Sequence, residues 1–226
     1  MDKLDRDAIY EWLKKWWHTP PWESSENRES AIDCLIKILP NIIQWKHILD
    51  YWCWNGHIWE YFLQKWANID FADISHKKVE SLRIKYSSQK DLWKVLDDKN
   101  CWYVRVFQAE TPNDLPVENQ SYDYIIMWNV LHHIDPNYWK WFLDKFWDLL
   151  KTDWKLILQW VDETSILFEK YQFKWCVTWD PIYAINSLPE YLDSNVFEIE
   201  KTWLNEVKLP MFDYPGMFRY FVIKHK

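Results

Sequence analysis

The sequence predicts an α/β fold: a mainly parallel seven-stranded sheet with helices on both faces and an antiparallel pair of strands at its C-terminal end. Three observations predict it. Between residues 46 and 161, short apolar runs alternate with longer amphipathic ones, the pattern of parallel strands joined through helices. The last two strand-like runs, 197–209 and 218–226, are joined by a short connection, and such neighbours pair antiparallel. The 226 residues, 49% of them hydrophobic, suffice for one large domain with a core of its own.

The elements follow in chain order. Residues 1–45 read as a helical cap: Ile9, Leu13 and the Trp16–Trp17 pair recur at helical spacing, Pro20 and Pro21 interrupt, and a second helix stops at Pro40. A buried strand over 46–51 opens the core, with a helix over 56–65 behind it. A strand over 69–73 leads to Ser75, which caps a helix over 76–88. Strands follow at 104–108 and 122–127, then a helix over 136–150 and a strand over 155–161. The organisation expected is one domain: the cap, a core over 46–161, and a segment over 162–226 that ends in the two long strands.

Composition narrows the function. A net charge of -7 argues against a general nucleic-acid binder, which carries a basic face. No apolar stretch is long enough for a membrane span, and the charged start lacks the apolar region of a secretory signal. Cys34, Cys53, Cys101 and Cys176 are far apart and form no CxxC pair, so reduced thiols in a cytoplasmic protein are expected, with no metal site.

One feature is abnormal: 20 tryptophans against 2 glycines, where average usage gives roughly 16 glycines in a chain of this length. Several tryptophans stand where glycine physics is wanted. Trp66 follows a helix and precedes a strand, the place of a left-handed helix end. Trp154 follows Asp153 between a helix and a strand, where Asp-Gly is a turn signal. Trp52 and Trp54 follow the first strand. The expectation is that many of these tryptophans stand for glycines, as when a codon read as glycine in the cell is translated as tryptophan under another genetic code. Trp139 and Trp141 are candidates for genuine tryptophans, because glycine there would weaken a helix.

In open parallel sheets, ligands bind at the carboxyl ends of the strands where strand order reverses. The first strand ends in Asp50 and the turn to Gly56; the second ends in Asp73, 23 residues later, where an acid can accept bonds from ribose hydroxyls. With glycine at 52 and 54, the run Ile48-Leu49-Asp50-Tyr51-Trp52-Cys53-Trp54-Asn55-Gly56 resembles motif I of the class I S-adenosylmethionine-dependent methyltransferases, which have a Rossmann-like fold. The likeness continues through Phe71-Ala72-Asp73-Ile74-Ser75, Phe107-Gln108-Ala109-Glu110 and Asn129-Val130-Leu131-His132-His133-Ile134. The resemblance implies S-adenosylmethionine as cofactor, held by Asp50, Trp52, Cys53, Trp54, Gly56, Asp73, Ile74, Ala109, Glu110 and Asn129. It departs from the family in its tryptophans and in Ala-Glu where Ala-Asp is commoner.

Two other readings stand beside it. With tryptophan at 52 and 54, the chain is a catalytically inactive scaffold of methyltransferase shape. A nicotinamide dinucleotide would want a third glycine at His57, whereas the small residue is Gly56. Methyl transfer chiefly requires alignment and exclusion of water, with a base only where the acceptor must lose a proton; His132 or His133 is the candidate. The fourth-strand loop lacks the Asn/Asp-Pro-Pro-aromatic run that in this superfamily implies methylation of planar amino groups, so a small-molecule or lipid-like acceptor is expected. Its choice is expected from 1–45, 162–195 and the 210–217 loop; the sequence sets no oligomeric state.

Overall fold

The structure is a computed structural model that describes residues 35–37, 39, 44–53, 56, 67–87, 103–128, 130–131, 134, 136–162, 188–194, 196–207 and 216–226. Its elements are β1 His47–Tyr51, β2 Asn68–Asp73, α1 His76–Ser87, β3 Val104–Gln108, β4 Tyr122–Trp128, α2 Pro136–Leu149, β5 Leu150–Val161, α3 Leu188–Tyr191, β6 Phe197–Val207 and β7 Gly216–His225. The strands form one seven-stranded sheet in the order β3-β2-β1-β4-β5-β7-β6. β3, β2, β1, β4 and β5 are parallel, while β7 runs antiparallel to both β5 and β6. The strand order reverses between β1 and β4.

Alternation along the strands puts one core on each face of the sheet. Leu49, Tyr51, Ile125, Met127, Leu156 and Leu158 pack against Trp139, Leu143 and Phe146 of α2. Ile48, Ile69, Phe71, Ile126 and Ile157 pack with Leu82 and Tyr86 of α1 and with Leu35 and Leu39 ahead of β1. Burial on both faces is why these strands read as nearly continuous apolar runs. The helix expected over 56–65 and most of the N-terminal cap lie outside the described residues.

The strand expected at 155–161 begins earlier, directly where α2 ends. Leu150 pairs with Tyr122 and Lys155 with Tyr124, so two residues of advance along β4 stand against five along β5. The surplus is taken up in an irregularity in which Asp153 adopts φ 70. The turn signal at Asp153-Trp154 is therefore spent within a strand, and the left-handed residue is Asp153. Trp154 is partly buried, with its ring 5.3 Å from Tyr124 and the Lys46 ammonium 3.9 Å above it.

Buried polar groups toward the amino ends of the strands are tied together. Asp70, fully buried, accepts two bonds from Arg105 at 2.7 and 2.6 Å and one from the Tyr122 hydroxyl at 2.7 Å, with His47 Nε2 at 3.1 Å. Burial alone pushes the Asp70 carboxyl up, but the bonds from Arg105 and His47 outweigh it and hold the group below its ordinary value. The same burial, with the Asp70 charge, pushes the Tyr103 hydroxyl up to about 12.

Candidate active site

The carboxyl ends of β1, β2 and β3 form the edge where the sequence placed its acids. Asp50 stands opposite Phe71 on β2 and Ile126 on β4, so it shares a sheet face with Asp73 two residues further along. Both carboxylates are only 4% exposed. Buried charges persist where partners compensate them. The Ser75 amide donates to Asp73 Oδ1 at 2.8 Å, and the Lys78 amide reaches Ser75 Oγ at 3.4 Å, so β2 passes into α1 through a side-chain cap.

Cys53 reports on the field at this edge. Burial pushes its thiol well up, and the Asp73 and Asp50 carboxylates add to the shift, while Lys78 opposes it. The turn is pinned by main-chain bonds: the Cys53 amide donates to the Ala72 carbonyl at 3.1 Å and the Gly56 amide to the Cys53 carbonyl at 2.9 Å.

Gly56 is required where it stands. Its φ is +61, and a Cβ there would lie 3.0 Å from Leu82 Cδ2, 3.2 Å from Phe71 Cε1 and 3.3 Å from the Tyr86 hydroxyl. Close approach and left-handed backbone both favour the residue without a side chain. Trp52, in the same turn, has φ 58, and its ring lies near-parallel to that of Tyr51 with centroids 6.2 Å apart.

The turn after β3 joins the same edge. The Ala109 amide donates to the Asp73 carbonyl at 3.0 Å. Asp114 Oδ2 accepts from the amides of Glu110 and Thr111 at 3.1 and 2.7 Å, which holds the loop. Glu110 is exposed and Ile74 partly buried between Asp73 and the Ser75 cap. Of the residues singled out in the sequence, Asp50, Trp52, Cys53, Gly56, Asp73, Ile74, Ala109 and Glu110 gather at this edge. Trp54, Asn129, His132 and His133 lie outside the described residues.

Three contributions were not read from the sequence. The Tyr51 hydroxyl reaches across β2 to the Glu110 carbonyl at 3.0 Å. The Trp139 indole N–H donates to the carbonyls of Leu131 and Ile134, which flank His132 and His133, at 3.0 and 2.7 Å. Gln159 on β5 is 2% exposed, and its Oε1 has no hydrogen-bond partner among the described residues. It pairs with Trp128 on β4 and Tyr220 on β7, near the same edge. Of these, only a polar residue inside an apolar run, Leu158-Gln159, leaves a trace in sequence.

The sequence matches a family model described as a methyltransferase domain over residues 24–206, most of the chain. This chain belongs to the methyltransferase-domain family. Solved structures agree in fold. A SAM-dependent methyltransferase from Archaeoglobus fulgidus is 14% identical over 96% of this chain and 99% of that one, with a TM-score of 0.67. One from Aquifex aeolicus is 15% identical over 98% and 99%, with a TM-score of 0.61. A third, from Methanosarcina mazei, is 18% identical over 82% and 98%, with a TM-score of 0.62. No curated protein matches the sequence. In this methyltransferase no helix among the described residues is long and apolar enough to cross a membrane, and no cluster of three metal-ligating side chains occurs among them.

Proposed function

We propose that this methyltransferase takes its methyl group from S-adenosylmethionine and passes it to a small-molecule or lipid-like acceptor. The observation that carries the reading is the pair of buried carboxylates, Asp50 and Asp73, on one sheet face beside the point where strand order reverses. A cationic, hydroxyl-bearing donor suits an edge that carries two buried acids.

The donor's sulfonium supplies a methyl group already activated for in-line displacement. The protein's part is to bind, align and keep water out. Asp73 would accept bonds from a pair of ribose hydroxyls, and the Ser75 amide holds its carboxylate in place. Asp50, Trp52, Cys53 and Gly56, with position 54, would hold the methionine end. Ile74, Ala109 and Glu110 would contact the base, and Asn129, next in sequence after β4, is a further candidate. His132 or His133 takes the acceptor's proton where chemistry demands it, on a loop whose flanking carbonyls are held by Trp139.

The acidic balance of the chain favours a small acceptor over nucleic acid. Acceptor choice falls to 1–45, 162–195 and 210–217, with Gln159 offering a buried carbonyl oxygen to an acceptor's O–H or N–H. Calorimetric titration of S-adenosylhomocysteine and of NAD into protein carrying Trp52→Gly and Trp54→Gly tests the reading. S-adenosylhomocysteine should bind and NAD should not; the reverse would overturn it.

A further inference from the structure

We infer that the working protein carries glycine at positions 45 and 52 and tryptophan at position 139. The backbone separates these positions. Among the described residues, four that are not glycine have left-handed φ: Trp45 at 65, Trp52 at 58, Gln120 at 57 and Asp153 at 70. Asp visits this region with comparative ease through its short polar side chain; a bulky aromatic residue adopts it only under strain. Two of the four are nevertheless tryptophan, in a chain that has 2 glycines.

The local folds explain why φ is positive there. Trp45 sits in the turn that enters β1, where its carbonyl accepts from Asn68 Nδ2 at 3.3 Å and the Lys46 carbonyl accepts from the Asn68 amide at 2.9 Å. Its side chain is 37% exposed. Trp52 makes the turn that leaves β1, between Tyr51, fully buried, and Cys53, whose amide is committed to Ala72. Both ends of the same strand are thus turned by a residue whose backbone asks for glycine, and the first of them lies nowhere near the donor site.

Position 139 asks for the opposite. Trp139 is fully buried in α2, packs its ring 5.0 Å from Tyr191 and donates its N–H to two carbonyls. Glycine there would empty the centre of a core and weaken a helix. Trp154 also belongs on this side of the division, since its φ is not left-handed and its ring packs on Tyr124.

For position 52 the consequence for donor binding rests on the proposed function; for position 45 it does not. The test compares glycine with alanine at each site. Both remove the indole, and only glycine relieves a left-handed φ. At 45 and 52 the glycine variant should melt above the alanine variant, by roughly tenfold in the folding equilibrium. At 139 the order should reverse. Peptide mass spectra of the protein isolated from its own cells should show glycine at 45 and 52 and tryptophan at 139. Alanine equal to or above glycine at 45 and 52, or native peptides carrying tryptophan there, would overturn the inference. Glycine order as expected with no gain in S-adenosylhomocysteine affinity for Trp52→Gly supports it and counts against the donor reading alone.

Discussion

The Tyr51 hydroxyl and the Glu110 carbonyl, 59 residues apart in sequence, meet at 3.0 Å and tie the end of β1 to the turn after β3 across β2. Tyr51 is fully buried and Glu110 exposed, so the bond runs from the core to the rim of the sheet. It ties together the two turns of the proposed donor site. Tyr51→Phe keeps the ring and loses the donor. It should weaken S-adenosylhomocysteine binding by about three- to tenfold, the worth of one hydrogen bond at roughly 0.5–1.5 kcal/mol. Unchanged affinity by calorimetry would mean the turn is set without it.

The Asp70 cluster makes a prediction about pH. A carboxyl whose folded-state value is depressed contributes stability that is present above its unfolded value and lost as pH falls through the folded one. Asp70→Asn should cost about 2–4 kcal/mol at neutral pH, at the lower end of losses for breaking buried pairs because Arg105 is partly exposed. The gap between mutant and parent should narrow on acidification below about pH 4. Denaturant titrations at several pH values read this directly, and a constant gap would show that charge is not what Asp70 contributes.

Gln159 gives a prediction of opposite sign. An unpaired buried carboxamide oxygen costs about 1–3 kcal/mol. Gln159→Met, similar in length and apolar, should raise the melting temperature and leave S-adenosylhomocysteine affinity unchanged. A lower melting temperature would show that the amide is already satisfied.

Trp139→Phe should do the reverse. It keeps most of the packing and strips the donor from the Leu131 and Ile134 carbonyls, lowering stability by about 1–3 kcal/mol. Equal stability in urea would detach Trp139 from the loop that carries His132 and His133.

Much of the fold was legible because parallel strands buried on both faces leave short apolar runs bounded by helices. β3 and the helix from His76 show this plainly, and the two C-terminal runs pair antiparallel over Phe197–Val207 and Gly216–His225. The strand expected at 155–161 extends back to Leu150, because its pairing with Tyr122 is a long-range contact that no local turn signal announces. In the site, Asp50 and Asp73 were legible because acids ending apolar strands are unusual. Tyr51 was not: an aromatic residue at a strand end looks like core, and only the sheet order brings its hydroxyl to Glu110. The left-handed φ at Trp45 was hidden for the same kind of reason, since it depends on how Asn68 meets the turn.

The measurement that bears most directly on the donor site is calorimetric titration of S-adenosylmethionine into protein with glycine at 52 and 54, with and without Asp73→Ala. A charged acceptor to ribose hydroxyls is worth about 1.5–3 kcal/mol. Removing Asp73 should weaken binding roughly ten- to hundredfold, with the protein still folded at the titration temperature. Equal affinity in the two proteins would contradict it and move the donor away from the carboxyl end of β2.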